Sequence, residues 1–293
     1  MKLVTFLYRE TVRIGALVEK ESLKYVLDLY RAQPQLPTDM ITFLEAGNTA
    51  LSAAQDLIKS ISADDIIPEA EVTLLAPVPR PGKIICLGHN YYDHSAKAEG
   101  EKPEYPTIFS KYSNTVIGPG QPIVLPYISE QVDNEAELAC IIGKRAHRVS
   151  EKQALDYVAG YTIFNDVSAR DYGKRCSQWM MGKTFDSFGP MGPVLVTVDE
   201  IPDPDNLELI LTVNGQEVQH GSTSNFIFSI PFLIAYISEV MTLEPGDLIS
   251  TGTPSRLGDF RDNPVYMKPG DEVKIRIDKI GELCNTFVAM PEK

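Results

Sequence analysis

The stretch Glu135-Ala136-Glu137-Leu138 places two glutamates two positions apart, and Ala139-Cys140-Ile141-Ile142 follows it without a break. The apolar run predicts a buried strand, and residues i and i+2 of a strand share one face. Two like charges on one face repel each other, and a buried charge is costly unless it is paired or bound to a metal. A hard divalent cation with oxygen ligands removes both costs. The alternative is a solvated face on an edge strand.

Asp166 is the candidate third ligand, because it ends the apolar strand predicted over residues 160–164. It follows Glu137 by 29 residues, which is enough chain to return on a neighbouring strand. Two glutamates and one aspartate form an all-oxygen set that suits magnesium or manganese better than zinc. Three carboxylates against one divalent ion leave a net charge, so we expect nearby cations, with Arg170 and Lys183 as candidates. The alternative for Asp166 is an Asx turn at a strand end.

The composition indicates a globular protein of 293 residues, with 43% hydrophobic and 23% charged residues. The net charge of −13 argues against nucleic acid and anionic membrane surfaces as partners. Cytoplasm is the predicted location, because residues 1–6 lack the pattern of a signal peptide and the longest apolar stretch, residues 226–241, is too short to span a bilayer. The four cysteines are widely spaced, which predicts free thiols rather than disulfides or zinc: Cys86, Cys140, Cys176 and Cys284.

The N-terminal part of the chain predicts a small α+β domain. Residues 2–8 and 12–18 have the pattern of a hairpin, and residues 24–28 that of a third strand. Thr38-Asp39 and Asn48-Thr49 are candidate caps for two helices that end near Glu45 and Lys59. A connector punctuated by prolines follows, so we predict domains at residues 1–74 and 75–293.

The larger domain predicts many strands and few helices. Asn214-Gly215 is a strong hairpin pattern, Ser229 and Pro231 open a helix that runs to about Val240, and Ser150 opens another to about Val158. Strict alternation of strands and helices is missing, which argues against a Rossmann sheet. The fold class predicted for the whole chain is α+β and rich in β-strands.

Several further residues are candidates for the site, each with a plainer alternative. His94 stands in a polar and aromatic loop, and the charged, turn-rich segment after it, residues 97–106, is expected to form a mobile lid. The alternatives are a surface histidine for His94, a solvated lysine for Lys183 and an ordinary turn for Thr253. Trp179 and Met180-Met181 are expected in the core.

Six stretches together resemble the fumarylacetoacetate hydrolase superfamily, in the family's order over residues 75–285. They are Gly88-His89-Asn90-Tyr91-Tyr92-Asp93-His94, Glu135-Ala136-Glu137-Leu138, Asn165-Asp166-Val167-Ser168-Ala169-Arg170-Asp171, Gly182-Lys183-Thr184-Phe185-Asp186, Gly189-Pro190-Met191-Gly192-Pro193 and Thr251-Gly252-Thr253-Pro254. The resemblance implies a mixed β-sandwich roll, a homodimer, and Mg2+ or Mn2+ at Glu135, Glu137 and Asp166. The first 70 residues resemble the small extra domain of longer bacterial members.

The resemblance also implies the roles of the remaining site residues. We assign catalysis to His94, as the general base, and to Lys183, Glu99 and Arg170, and substrate binding to Arg170, Lys183, Thr253 and Tyr91. Relatives that cleave acylpyruvates carry a glutamate three residues after the loop histidine, where this sequence has Lys97, and Glu99 lies two residues further on.

The resemblance implies a small 2-oxo acid as substrate. The first expectation is hydrolysis of a C–C bond in an acylpyruvate-like 2,4-dioxo acid through an enolate stabilised by the metal. The alternative is decarboxylation or keto–enol tautomerisation of oxaloacetate. A non-catalytic binding protein on the same fold is the third hypothesis.

Overall fold

The computed structural model describes residues 1–93, 103–258, 260 and 263–291. The strands are β1 (Lys2–Tyr8), β2 (Thr11–Lys20), β3 (Leu23–Asp28), β4 (Ile66–Pro68), β5 (Thr73–Leu75), β6 (Ile84–Gly88), β7 (Thr107–Lys111), β8 (Val116–Ile117), β9 (Ile123–Leu125), β10 (Val132–Asp133), β11 (Ala136–Ile142), β12 (Val158–Asn165), β13 (Ser168–Ala169), β14 (Gly189–Thr197), β15 (Glu208–Val213), β16 (Gln216–Ser222), β17 (Leu248–Ser250), β18 (Glu272–Ile277) and β19 (Gly281–Ala289). The α-helices are α1 (Leu29–Ala32), α2 (Met40–Glu45), α3 (Gly47–Lys59), α4 (Arg170–Gly173), α5 (Met180–Lys183) and α6 (Ile230–Val240). Short 3₁₀ helices cover Ala63–Asp65, Glu69–Glu71, Ser113–Thr115, Glu151–Tyr157 and Thr223–Asn225.

The strands form one long sheet, a second sheet that packs on it, and a short two-stranded pair. The long sheet has the order β4-β3-β2-β1-β14-β12-β11-β17-β6-β7, with β5 added at β1 and β8 at β14. The second sheet has the order β16-β15-β18-β19-β9, and β10 pairs with β13. Most pairs are antiparallel, but β6–β17, β9–β19 and β8–β14 are parallel. The predicted α+β, strand-rich fold class with a mixed β-sandwich is therefore confirmed.

Strand β11 lies in the middle of the long sheet and is buried on both faces. Leu138 and Cys140 point into the core cluster shared with the second sheet, which includes Leu209. Ala139 and Ile141 point to the opposite side, into a cluster that includes Phe43 of α2. A strand covered on both faces has an unbroken apolar sequence instead of an alternating one. Burial on both faces therefore explains the continuous apolar run that follows Glu137.

The N-terminal strands extend the long sheet across the predicted domain boundary. Strand β1 pairs with β14 in the register Lys2↔Val196 and Leu3↔Leu195, and β5 pairs with β1. The Thr5 hydroxyl donates to the carbonyl of Pro77 at 2.7 Å. The division into residues 1–74 and 75–293 stays a prediction, and the two parts share one sheet and both core clusters.

Most local predictions agree with the structure, and two differ in detail. The first three strands, the α2 cap at Asp39, the α6 cap at Ser229 and the hairpin between β15 and β16 are confirmed. Helix α3 begins at Gly47 without a side-chain cap, because α2 runs into it through Ala46. The segment after Ser150 forms a 3₁₀ helix. Within the described ranges, no helix has the length and apolar character needed to cross a membrane.

Candidate metal centre

The three predicted ligands meet where β11 begins and β12 ends. These strands pair antiparallel in the register Ala136↔Asn165, so Glu135 and Asp166 lie side by side at the same edge, and the Asp166 amide donates to the Glu135 carbonyl at 3.0 Å. One carboxylate oxygen each from Glu135, Glu137 and Asp166 lies within 4.8 Å of the others. The three residues are 7%, 1% and 0% exposed, so the alternative of a solvated edge strand is wrong.

Two lysines hold the carboxylates together. Lys183 Nζ lies 2.6 Å from Glu135 Oε2 and 2.6 Å from Asp166 Oδ2. Lys111 Nζ lies 2.6 Å from Asp166 Oδ1 and donates to the carbonyl of Val167 at 2.9 Å. Burial alone lowers the pKa of Lys183, but the Asp166 and Glu135 carboxylates outweigh it and raise that pKa above its ordinary value. The pKa of Lys111 is lowered, mainly by its complete burial.

Arg170 connects the ligands to a second ion pair behind them. Its Nη2 lies 2.5 Å from Glu135 Oε1, and its Nε lies 2.9 Å from both oxygens of Asp133. Arg256 Nη2 reaches the same Asp133 carboxylate at 2.9 Å. Burial raises the pKa of Glu135, but Arg170 and Lys183 outweigh it and hold this pKa well below its usual range. Glu135 is therefore an ionised carboxylate fixed by two cations.

Glu137 differs from its neighbours, because it forms no ion pair with any residue of the described ranges. It accepts hydrogen bonds from the Ser250 hydroxyl and, at 3.1 Å, from the Gly252 amide. Gly252 has φ of +92°, and a Cβ there would stand 3.0 Å from Asn90 Cβ, so the turn that aims this amide favours glycine. Burial and the charges of Asp166 and Glu135 raise the pKa of Glu137 well above its ordinary value.

This geometry fits a hard divalent cation. Three buried carboxylates converge, and Glu137 has no cationic partner among the described residues. A bound ion would remove the free-energy cost of burying its charge. The donor set contains oxygen alone, which suits Mg2+ or Mn2+ rather than zinc. Glu135, Glu137 and Asp166 are the residues that would hold it.

A cavity of about 190 Å³ opens in front of the carboxylates. Its wall is formed by residues from β6, β7, the β11 entrance and the segment around α4 and α5: Leu87, Gly88, His89, Phe109, Glu135, Glu137, Ser168, Ala169, Arg170, Gly173, Lys174, Trp179, Gly182, Lys183 and Thr253. The volume is below the roughly 300–1,000 Å³ common for drug-sized ligands, so a small acid suits it. Asp166 is wholly buried behind this wall.

The remaining predicted residues fall in three different places. Thr253 lies on the cavity wall, and its hydroxyl accepts from Gln219 Nε2 at 2.8 Å. Tyr91 is wholly buried with its ring edge-on to Phe226, and the cavity wall formed by described residues does not include it; its substrate-binding role stays a prediction that this geometry does not support. His94, Glu99 and the predicted lid at residues 97–106 lie outside the described residues, except for the last four positions of the lid.

Trp179 corrects an expectation, because it lies on the cavity wall and is half-buried rather than in the core. Its ring is edge-on to Phe109 at 5.4 Å between centroids. A Cβ at Gly88 would stand 2.4 Å from the indole, so glycine there lets the ring lie against the end of β6. Met180 and Met181 are 39% and 57% exposed, and the expectation of core packing is wrong for both.

Four charged residues around the centre were not predicted from the sequence: Lys111, Asp133, Lys174 and Arg256. Asp133 lies two positions before Glu135, and the same i, i+2 argument applied one step earlier would have found it. Lys111 ends a short strand, where a lysine is usually solvated. No pattern around Arg256 distinguishes it from a surface arginine.

Comparison with known proteins identifies the family to which the chain is related. The family described as fumarylacetoacetate (FAA) hydrolase C-terminal matches residues 83–288. The Rattus norvegicus protein named oxaloacetate tautomerase Fahd2a, mitochondrial, is 46% identical over 265 residues, which cover 90% of this chain and 84% of the relative. The Xenopus laevis oxaloacetate tautomerase fahd2, mitochondrial, is 43% identical over 292 residues, covering 98% and 90%.

Solved structures give the same result. The 5-carboxymethyl-2-hydroxymuconate delta-isomerase from Mycobacterium smegmatis has a TM-score of 0.79 at 34% identity, over 100% of both chains. The maleylpyruvate hydrolase from Sphingobium sp. SYK-6 in complex with manganese(II) ion and pyruvate has a TM-score of 0.82 at 31% identity, over 99% of this chain and 100% of the other. With a family match across most of its length and relatives above 40% identity, the chain belongs to the fumarylacetoacetate hydrolase family.

Proposed function

We propose that this protein is a divalent-metal-dependent keto–enol tautomerase that acts on oxaloacetate. Relatives with 43% and 46% identity over most of the chain are named oxaloacetate tautomerases, while similar structures that are named hydrolases have 31% and 33% identity. Tautomerisation was the alternative expected from the sequence, and it now takes precedence over C–C bond hydrolysis. The observation that carries the proposal is the charge arrangement at the centre.

With every carboxylate ionised, the groups that surround the three proposed ligands balance in charge before a metal or substrate is added. Within the described residues, four carboxylates face the four cations that are ion-paired to this set, and Lys174, further out on the cavity wall, is not counted: Glu135, Glu137, Asp166 and Asp133 against Lys183, Lys111, Arg170 and Arg256. A divalent ion adds two positive charges to this neutral set. The dianion of a four-carbon 2-oxo dicarboxylic acid cancels them, whereas a monocarboxylic acid leaves one uncompensated. This favours oxaloacetate over acetylpyruvate.

Tautomerisation requires only that a proton leave C3 and another arrive at the C2 oxygen, or the reverse. A bound divalent ion would supply Lewis-acid polarisation of the 2-oxo group. Lys183 is buried, charged and on the cavity wall, so its ammonium group offsets negative charge that develops on the C2 oxygen. Arg170, held by Asp133 and Glu135, adds a second fixed positive charge. Thr253 offers a hydroxyl for the C1 carboxylate, and His94 stays the base predicted from sequence.

The test follows the ultraviolet absorbance of enol-oxaloacetate as it converts to the keto form. Purified protein with Mg2+ or Mn2+ should accelerate the decay above the spontaneous rate, and chelation by EDTA should abolish the acceleration. Pyruvate release from oxaloacetate and loss of acetylpyruvate are measured in the same samples. Tautomerisation at the spontaneous rate, with or without metal, would contradict the proposal, and metal-dependent pyruvate release would identify a decarboxylase instead.

C–C bond hydrolysis is the second candidate, supported by the similar maleylpyruvate hydrolase structure with manganese and pyruvate. Position 97 separates the two functions, because a glutamate there pairs with the loop histidine in acylpyruvate-cleaving relatives. We predict that Lys97→Glu raises acylpyruvate hydrolysis relative to oxaloacetate tautomerisation. The ratio of the two initial rates measures this, with Lys152→Glu as a control for the charge change. An equal ratio in parent and variant would show that position 97 does not select the reaction.

We also propose, as expected from the sequence, that the protein forms a homodimer and is located in the cytoplasm. The relatives from rat and Xenopus are named as mitochondrial proteins, so their location does not support cytoplasm over mitochondria. Neither expectation bears on the chemistry at the centre.

A further inference from the structure

The cavity has an inner end and an outer end that differ in how their charges are compensated. At the inner end, Arg170 and Lys183 are already bound to carboxylates at 2.5 to 2.9 Å. Lys174 lies on the same wall, is exposed, and forms no ion pair with the residues that the structure describes. It therefore carries positive charge that no described carboxylate cancels.

The position of Lys174 is set by the helix that holds Arg170. Helix α4 begins at Arg170, and the Lys174 amide donates to the Arg170 carbonyl at 3.1 Å. Four residues of helix advance the chain by about 6 Å, so the two positive side chains leave the same helix one turn apart. Gly173 lies between them on the cavity wall, and a Cβ there would meet nothing within 4 Å, which shows open space beside the helix.

His89 faces the same cavity from the end of β6. Its φ of +56° is uncommon for a residue other than glycine, and such backbone conformations concentrate at functional sites. The next residue, Asn90, fixes this turn, because its buried side chain donates to the carbonyls of Phe228 at 3.1 Å and Thr251 at 2.8 Å. The His89 ring is edge-on to Trp179 at 5.5 Å between centroids. The Asn90 contacts thus fix the backbone next to His89, whose side chain lines the cavity.

We propose that His89 and Lys174 form a subsite that binds the distal carboxylate of a 2-oxo dicarboxylic acid. This inference rests on the proposed function, because in that function the opposite end of the substrate would lie at the centre formed by Glu135, Glu137 and Asp166. A distal carboxylate at the outer end accepts hydrogen bonds from the Lys174 ammonium and an imidazole N–H of His89. The two residues select substrates by charge and take no part in proton transfer.

The test is isothermal titration calorimetry with malate and lactate in the presence of Mn2+. Both ligands are 2-hydroxy acids, and only malate has a second carboxylate. We expect the parent protein to bind malate at least about tenfold more tightly than lactate. Lys174→Ala and His89→Asn should each remove most of this difference while the lactate affinity stays unchanged. Asparagine is chosen because it tolerates positive φ, so the backbone of the loop is kept.

Lys152→Ala is the matched control, because Lys152 is an exposed lysine outside the cavity wall and its loss changes the net charge equally. It should retain the parental ratio of malate to lactate affinity. A parent that binds both ligands equally, or a ratio that survives both Lys174→Ala and His89→Asn, overturns the subsite. If the ratio behaves as expected while the parent fails to tautomerise oxaloacetate, the subsite stands and the proposed reaction is wrong.

Discussion

Glu137 is a buried carboxylate whose described hydrogen-bond donors are one hydroxyl and one backbone amide. A bound cation compensates such a charge, so Glu137→Gln, which keeps the shape and removes the charge, should abolish binding of Mg2+ or Mn2+. A metal at 100 times its dissociation constant stabilises the parent by about 2.7 kcal/mol, and the variant should lose this gain. Calorimetry and thermal unfolding with and without metal measure both effects.

Glu151→Gln is the control for Glu137, since Glu151 is exposed at the start of a 3₁₀ helix. It should bind metal and gain thermal stability as the parent does. Metal binding by Glu137→Gln with parental affinity would remove Glu137 from the ligand set.

Lys183 contacts two of the proposed ligands and lies on the cavity wall, so in the proposed reaction its charge would act beside the oxyanion of the enolate. A group that stabilises the transition state more than the bound substrate affects kcat more than KM. Lys183→Met should therefore lower kcat for oxaloacetate tautomerisation by about 10²-fold or more, with a smaller change in KM. Steady-state kinetics with saturating metal measures this, and Lys152→Met serves as the control. A near-parental kcat would place Lys183 outside the mechanism.

Single residues also show which parts of the site could be predicted from the sequence and which could not. Glu135 and Glu137 were predicted because strand geometry fixes which side chains share a face, and Asp166 because it ends an apolar strand that could return beside theirs. Lys111 was not, because its role depends on β7 reaching the far edge of the sheet beside β6, and pairing across 55 residues leaves no local pattern. The positive φ of His89 was equally hidden, since the histidine itself gives no turn pattern and a neighbouring asparagine enforces the conformation.

At the scale of the element, strands and caps were predictable where one local rule dominated. The hairpin at Asn214-Gly215 has positive φ at both positions, as its two-residue turn requires. The order of strands in the long sheet was not predictable, because β14 joins β1 to β12 and β17 separates β11 from β6. These neighbours meet through long-range burial, and sequence periodicity does not encode which buried strand lies beside another.

The hairpin of β15 and β16 carries a pH-dependent contact at its exposed face. His220 Nε2 lies 2.7 Å from Glu208 Oε1 across the strands, and Nδ1 lies 3.0 Å from Glu217 Oε1. The hydrogen bond to Glu208, and then that to Glu217, raise the pKa of His220 above its ordinary value. A raised histidine pKa in the folded state contributes stability at low pH, and this contribution is lost as pH rises through the folded pKa.

His220→Gln should therefore be less stable than the parent at pH 5.5 and equally stable at pH 8.5. The side chain is 41% exposed and solvent screens the pair, so the difference at pH 5.5 should be about 0.5 kcal/mol or less. Urea unfolding of both proteins at the two pH values measures the free energy of unfolding. A stability deficit of His220→Gln that grows from pH 5.5 toward pH 8.5 would refute the assignment.

At the scale of the molecule, the net charge of −13 contrasts with a centre in which four carboxylates, when ionised, match four ion-paired cations. Overall composition therefore predicts nothing about the ligand, whereas the local count of carboxylates and cations does.

The surface near α5 carries a group of large, exposed apolar side chains. Tyr112, Met180 and Met181 are 51%, 39% and 57% exposed, and the Tyr112 hydroxyl contacts the Met180 sulfur at 3.2 Å. We name these three residues the α5 patch.

An exposed group of large apolar side chains marks an interaction surface in many proteins, because burying it contributes about 25 cal/mol per Å². The homodimer expected from the sequence would bury the α5 patch between two copies. Light scattering after size exclusion should give about twice the chain mass of 32.5 kDa for the parent. Met181→Asp should shift the mass toward one chain, because a charge in an apolar interface is costly to bury. Val240→Asp is the control, since Val240 is 77% exposed at the end of α6, outside the patch. A parent of one chain mass would refute the dimer, and a Met181→Asp variant that stays dimeric would place its interface elsewhere.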